Sequence, residues 1–324
     1  RDHFYRMKVW KGRKMHYLCG ELIPITMERL ALQQLLEWKT SSDRKPLIIK
    51  GARQTGKTWL MREFGKRYFA DTVYINFEYE RRFNDLFKED YDTQRIITTI
   101  ELSHGKKIVP EDTLIIFDEI QAVDGGLTSL KYFCENAPQY AIIAAGSLLG
   151  IAMHRQQSFP VGKVNFLDLH PMTFGEFLLA IDKSLIYNAL KEHQWDALKP
   201  FHGELVRLVR YYMVIGGMPE VVKKWVERQD FFEVRQKQMD ILNSYHADFS
   251  KHIPDSQVPR VSMVWDSLPA QLAKENKKFI YGVLREGARA KDYEIAILWL
   301  IDSGLVLRAQ RVGTPKMPLK AYQD

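Results

Sequence analysis

The stretch Gly51-Ala52-Arg53-Gln54-Thr55-Gly56-Lys57-Thr58 constrains this chain more than any other, because it follows the apolar run Leu47-Ile48-Ile49 and leads into a helix-forming segment. A glycine-rich turn between a strand and a helix lets successive backbone N–H groups wrap a phosphate chain, and the helix that follows adds the positive end of its dipole. In this Walker A pattern Lys57 is placed to reach the β and γ phosphates, and Thr58 to hold Mg²⁺ through its hydroxyl. The motif belongs at the carboxyl edge of a parallel sheet, so the expected class is α/β with a bound nucleoside triphosphate.

The rest of the first half supplies such a sheet. Residues Leu30 to Trp38 carry apolar positions on one helical face, and Leu60, Met61, Phe64 and Tyr68 repeat at helical spacing after the loop. Val73-Tyr74-Ile75-Asn76-Phe77 reads as a strand, followed by an acidic and aromatic helical segment near 80–103. Leu114-Ile115-Ile116-Phe117-Asp118-Glu119 then reads as a central strand ending in adjacent acids, the Walker B arrangement. Asp118 is placed to hold Mg²⁺ with Thr58, and Glu119 to polarise a water for attack on the γ-phosphate.

The strand and helix between the two motifs, together with Glu119, favour a hydrolytic enzyme over nucleotide kinases and GTPases. Asn276-Lys277-Lys278-Phe279 lacks the aspartate of a guanine-reading motif, so ATP is the expected nucleotide. A strand over 140–145 ends in Gly146-Ser147, where the Ser147 hydroxyl is either a sensor of the γ-phosphate or an ordinary strand-end serine. A further strand is expected over 163–169, and Thr173-Phe174-Gly175-Glu176 fits a capping box that opens a helix over 174–181.

Other classes are excluded by what is absent. No apolar run approaches the ~20 residues that span a bilayer, and the N-terminus has no signal-peptide apolar core, so cytoplasmic residence is expected. Cys19 and Cys134, far apart in sequence, give neither a disulfide framework nor a paired metal site. The formal charge of +7 is concentrated at the ends, with +4 on residues 1–26 and +4 on 277–324. Any nucleic-acid contact therefore belongs to the termini. Residues 1–26 read either as an extension foreign to the fold, with the pattern starting at Met27, or as a basic arm for nucleic acid or acidic lipid.

Taken together, these residues resemble the AAA-type ATPases, and more closely a group of bacterial and archaeal ATP-binding proteins whose AAA module precedes a domain of unknown function. The resemblance spans about Met27 to Asp324. It rests on Gly51 to Thr58 and Phe117-Asp118-Glu119-Ile120-Gln121, shared with many ATPases, and on the more specific Ala145 to Gly150, Ser158 to Lys163 and Gly216-Gly217-Met218-Pro219-Glu220. It implies nucleotide contacts at 51–58, metal and water activation at Asp118 and Glu119, and a sensor near Ser147. Members of that group continue into a further module, so the resemblance also implies a chain cut short after Asp324. Arg155 and Lys163 flank a loop from which a neighbouring subunit's γ-phosphate could be reached, which leaves a homo-oligomer open; surface charge is the competing reading of both.

Beyond residue 182 helical patterns take over. The expected division is a P-loop ATPase domain over 27–182 and a helical domain over 183–324. Gly216-Gly217-Met218-Pro219 reads either as a hinge or as a tight turn, and Pro254 and Pro259 bracket a second break. Helices are expected over 261–273 and 288–303, followed by a strand at Leu305-Val306-Leu307-Arg308-Ala309, which together would make a winged-helix module. Arg289, Lys291, Arg308 and Arg311 could then contact DNA phosphate weakly, or the module could serve a protein client. The expected activity is Mg²⁺-dependent ATP hydrolysis driving a switch of the second half; the alternative is a nucleotide-dependent DNA-binding or protein-binding regulator with little turnover.

Overall fold

Runs of buried aliphatic residues with no polar alternation form strands covered on both faces, which is how the central strands of this protein's sheet are built. The computed structural model describes residues 27–146, 160–275, 278–309 and 312. Its strands are β1 (Leu47–Lys50), β2 (Asp71–Asn76), β3 (Thr113–Asp118), β4 (Ala141–Ala145) and β5 (Asn165–Asp168). All pair in parallel in the order β2-β3-β4-β1-β5. Every residue of β3 and β4 is buried, as central strands require. The register sets Asp118 opposite Asn76 on one side and Ala145 on the other, so the carboxyl ends of β2, β3 and β4 lie level.

Helices α1 (Ala31–Thr40) and α2 (Lys57–Tyr68) contribute Leu35, Leu60, Met61 and Phe64 to the core on one sheet face, while α3 (Thr93–His104) and α4 (Gly126–Asn136) fill the other face with Ile96, Ile100, Leu130 and Phe133. The helical segment expected from residue 80 begins only at Thr93. A short 3₁₀ turn, Arg81–Phe83, precedes it, and the Asp92 side chain accepts from Gln94 N–H at 2.9 Å to cap α3. Phe83, Leu86 and Phe87 each drop into the core from this irregular stretch, and an aspartate N-cap fixes where the helix starts.

Beyond β5 the chain is helical, with α5 (Phe174–Ala180) closing the first half and α6 (Ser184–Lys191), α7 (Trp195–Leu198), α8 (His202–Ile215), α9 (Pro219–Arg228), α10 (Phe231–His252), α11 (Val258–Ala273) and α12 (Ala290–Asp302) making the second. Its core joins Val222, Trp225, Tyr245, Phe249, Trp299 and Leu300 with Met172 and Phe177 from the end of the first half. The expected capping box is formed: Glu176 N–H donates to Thr173 Oγ1 at 3.2 Å, and Thr173 N–H to Glu176 Oε2 at 2.8 Å. Pro254 lies in the break between α10 and α11, whereas Pro259 sits in the first turn of α11, where a missing N–H removes no helical bond.

The wing strand expected at Leu305 to Ala309 is not formed. After Gly304 the N–H groups of Leu305 and Val306 both fold back onto the Leu300 carbonyl, at 3.0 and 3.2 Å, so this segment caps α12 instead of extending. Among the described residues no strand pairs with it, and the winged-helix module is not found there. Arg311 lies outside the described residues. No described helix is long and apolar enough to cross a membrane.

Candidate functional site

The loop expected to hold phosphate joins the end of β1 to the start of α2. Gly51 has φ +146°, and a Cβ there would collide with the Leu169 carbonyl oxygen, so strand-edge crowding and backbone angle both demand glycine. Ala52 and Thr55 are buried behind the loop, the Thr55 hydroxyl donating to the Ala52 carbonyl at 2.9 Å. Arg53, Gln54, Gly56, Lys57 and Thr58 line a cavity of about 290 Å³ together with Trp59 and Glu119.

Lys57 is only 7% exposed, and its Nζ donates to the carbonyl oxygens of Gly51 and Ala52, both at 2.9 Å. Burial lowers its pKa from 10.5 to about 8, against the opposing pull of the Glu119 and Asp118 charges. The loop therefore holds a desolvated cation that an entering polyphosphate would pair.

Asp118 stands at the end of β3, where the Thr58 hydroxyl donates to its Oδ2 at 2.7 Å and the Tyr74 hydroxyl to the same oxygen at 2.8 Å. Its Oδ1 accepts from Glu119 N–H at 3.1 Å. Burial pushes the Tyr74 phenol up, which keeps it a donor. A threonine hydroxyl touching a carboxylate is a pair of hard oxygen donors of the kind Mg²⁺ takes, with phosphate and water oxygens completing the shell. Among the described residues there is no cluster of three or more His, Cys, Asp or Glu suited to a metal, so this pair fits Mg²⁺ only alongside nucleotide.

Glu119 has a left-handed backbone, φ +51°, and lines the cavity with the loop residues. Gln121 Nε2 donates to Glu119 Oε2 at 2.6 Å. Ser147 and Arg155 lie outside the described residues. Lys163 pairs with Glu135 at 2.9 Å.

Several residues at the site carry no sequence signal. Arg29, just ahead of α1, looks like surface charge but is buried: its guanidinium donates to Glu176 Oε1 at 3.0 Å, to the Thr55 carbonyl at 2.7 Å and to the His170 carbonyl at 2.7 Å. Glu176, read from sequence only as a cap, also holds this cation. From the second half, Asp248 pairs with Arg53, and the Tyr245 hydroxyl donates to the Arg53 carbonyl at 2.8 Å. No spacing rule links positions so far apart; only the burial of Asp248 and Tyr245 marks them.

Comparison with known proteins fits this geometry. Residues 43–178 match the family described as an AAA domain, and residues 206–324 match a domain of unknown function. An uncharacterized protein of Methanocaldococcus jannaschii is 26% identical over 175 residues, 54% of this chain and 35% of the relative, so the match spans about a third of that relative's length. A Walker-type ATPase of Pyrococcus abyssi superposes with a TM-score of 0.52 at 15% identity, covering 86% of this chain and 90% of the other, a likeness of fold. The ORC1 protein of Aeropyrum pernix in complex with DNA gives a TM-score of only 0.35 at 14% identity, covering 87% and 86%.

Proposed function

Because this chain carries an AAA-type P-loop domain, we propose that it binds ATP with Mg²⁺ in the 51–58 loop and hydrolyses it, using turnover to move the helical half. The observation that carries this reading is the 2.7 Å contact of Thr58 with Asp118, which joins the two motifs at one point beside Lys57 and Glu119. Thr58 and Asp118 would hold Mg²⁺; when bound, the ion neutralises charge on the β and γ phosphate oxygens. Lys57 and the loop N–H groups bind and orient the phosphates. Glu119 accepts a proton from the attacking water, a role worth ~10²–10⁴ in rate. Ser147, which lies outside the described residues, is the proposed sensor of the γ-phosphate.

A second reading, an ATP-dependent binding switch with little turnover, is favoured by the 2.6 Å bond that ties Glu119 to Gln121. Steady-state phosphate release separates the two. Hydrolysis by the wild-type protein, cut at least tenfold in Glu119→Gln with ATP still bound, supports the enzyme. Negligible wild-type turnover that rises in Gln121→Ala supports the switch, and equal rates in wild type and Glu119→Gln sink the assignment of Glu119. A protein client and weak DNA binding through 277–324 remain the proposed partners of the second half.

A further inference from the structure

The helical half touches the phosphate-binding loop at successive residues. Gly304, in the turn that ends α12, packs against the backbone of Gly51 and Ala52: its φ is +73°, and a Cβ there would stand 3.1 Å from Ala52 N and 3.5 Å from the Gly51 carbonyl carbon. A left-handed backbone angle and a close backbone approach coincide at this position, so any side chain there would strain the contact. On α10, Asp248 pairs with the Arg53 guanidinium, and Tyr245, one turn earlier, donates to the Arg53 carbonyl at 2.8 Å. Asp248 is 5% exposed and Tyr245 7%, so both side chains are committed to this junction.

The Tyr245 bond acts on a particular peptide group. Gln54 follows Arg53 with φ +64°, a left-handed angle that a non-glycine residue keeps only where its surroundings enforce it. Alternating right-handed and left-handed residues turn successive N–H groups toward one concave side, and that is what binds an anion. Holding the Arg53 carbonyl from behind leaves the loop's N–H groups to face the cavity that Arg53 and Gln54 line. The junction also contains a buried donor, Trp299 Nε1, with no hydrogen-bond partner among the described residues, beside Arg53, Tyr245 and Asp248.

We propose that Tyr245, Asp248 and Gly304 are positioning residues for nucleotide binding, holding the loop in its phosphate-facing shape so that loop occupancy and docking of the helical half are one linked equilibrium. This rests on the nucleotide-binding reading of the 51–58 loop. Linkage makes the coupling reciprocal: whatever the docked half adds to nucleotide affinity, bound nucleotide returns to docking.

Calorimetry with MgATP on the full chain tests the proposal, together with the Trp299 indole N–H resonance, assigned by its loss in Trp299→Phe. Tyr245→Phe removes one hydroxyl and leaves the ring packed 5.9 Å from Trp265, so the variant stays folded. It is expected to weaken MgATP binding about three- to tenfold, the factor a net hydrogen bond contributes. Asp248→Asn is expected to weaken it at least as much, with Asp248→Glu recovering part because the ion pair can re-form. MgATP at saturation is expected to shift the Trp299 indole resonance in the wild type and to shift it less in Tyr245→Phe and Asp248→Asn. Should Asp248→Asn fail to fold, Tyr245→Phe alone decides. Wild-type affinity and a wild-type indole shift in Tyr245→Phe overturn this proposal alone, whereas a wild-type protein that binds no MgATP overturns the nucleotide reading and this proposal with it.

Discussion

Lys57 makes the loop's function visible as a cost in stability. Its pKa falls from 10.5 in the free side chain to about 8 in the fold, chiefly because burial disfavours the charged form. A cation with a lowered folded pKa destabilises the native state fully below that pKa, and the penalty is relieved as pH rises from the folded value toward the unfolded one. The full penalty is roughly 3 kcal/mol, and roughly 2 kcal/mol of it is recovered between about pH 7 and 9.5. That window stays below the ordinary tyrosine range and far below Tyr245, which burial pushes up to about 12. Urea denaturation of nucleotide-free protein across the window should therefore show stability rising with pH. Lys57→Met, which removes the charge at similar length, should lose that rise and abolish ATP binding while remaining folded. An identical pH profile in the variant would refute the argument, because the rise would then belong to other groups. In the wild type, ATP affinity should fall through the same window as Lys57 loses the proton that phosphate requires.

Other expectations follow from pairing and charge. Arg29→Met should leave Glu176 buried without its cation and lower stability by about 3–5 kcal/mol, read from denaturation midpoints; a loss under about 1 kcal/mol would show that solvent already satisfies Glu176. The weaker grip on the Thr55 carbonyl in that variant should also reduce ATP affinity. Arg289, Lys291, Arg308 and Arg311 can neutralise at most about four phosphates, so DNA affinity plotted as log K against log salt should have a slope no steeper than about −3.6. Nanomolar, salt-insensitive binding, or binding lost only with residues 1–26, would place the DNA contact elsewhere.

Local chemistry made part of this protein legible in its sequence. A strand ending in a glycine turn before Lys57-Thr58 and a buried strand ending in Asp118-Glu119 announce themselves because periodicity and motif spacing operate over a few residues. The parallel sheet, the capping box at Thr173 and Glu176 and the helical second half followed from the same short-range rules. The wing did not: Leu305 to Ala309 have the apolar, branched composition of a strand, yet a strand needs a partner, and the chain turns back to cap α12 instead. Arg29, Tyr245, Asp248 and Gly304 were equally invisible, since an arginine ahead of a helix or a glycine in a turn reads the same whether it faces water or the loop. Tertiary packing brought Tyr245, Asp248 and Gly304, some 190 to 250 positions further along the chain, onto Gly51 to Arg53. What makes them matter is burial, which turns an ordinary charge or hydroxyl into one that must be paired, and burial is a property of the folded molecule that no spacing along the chain encodes.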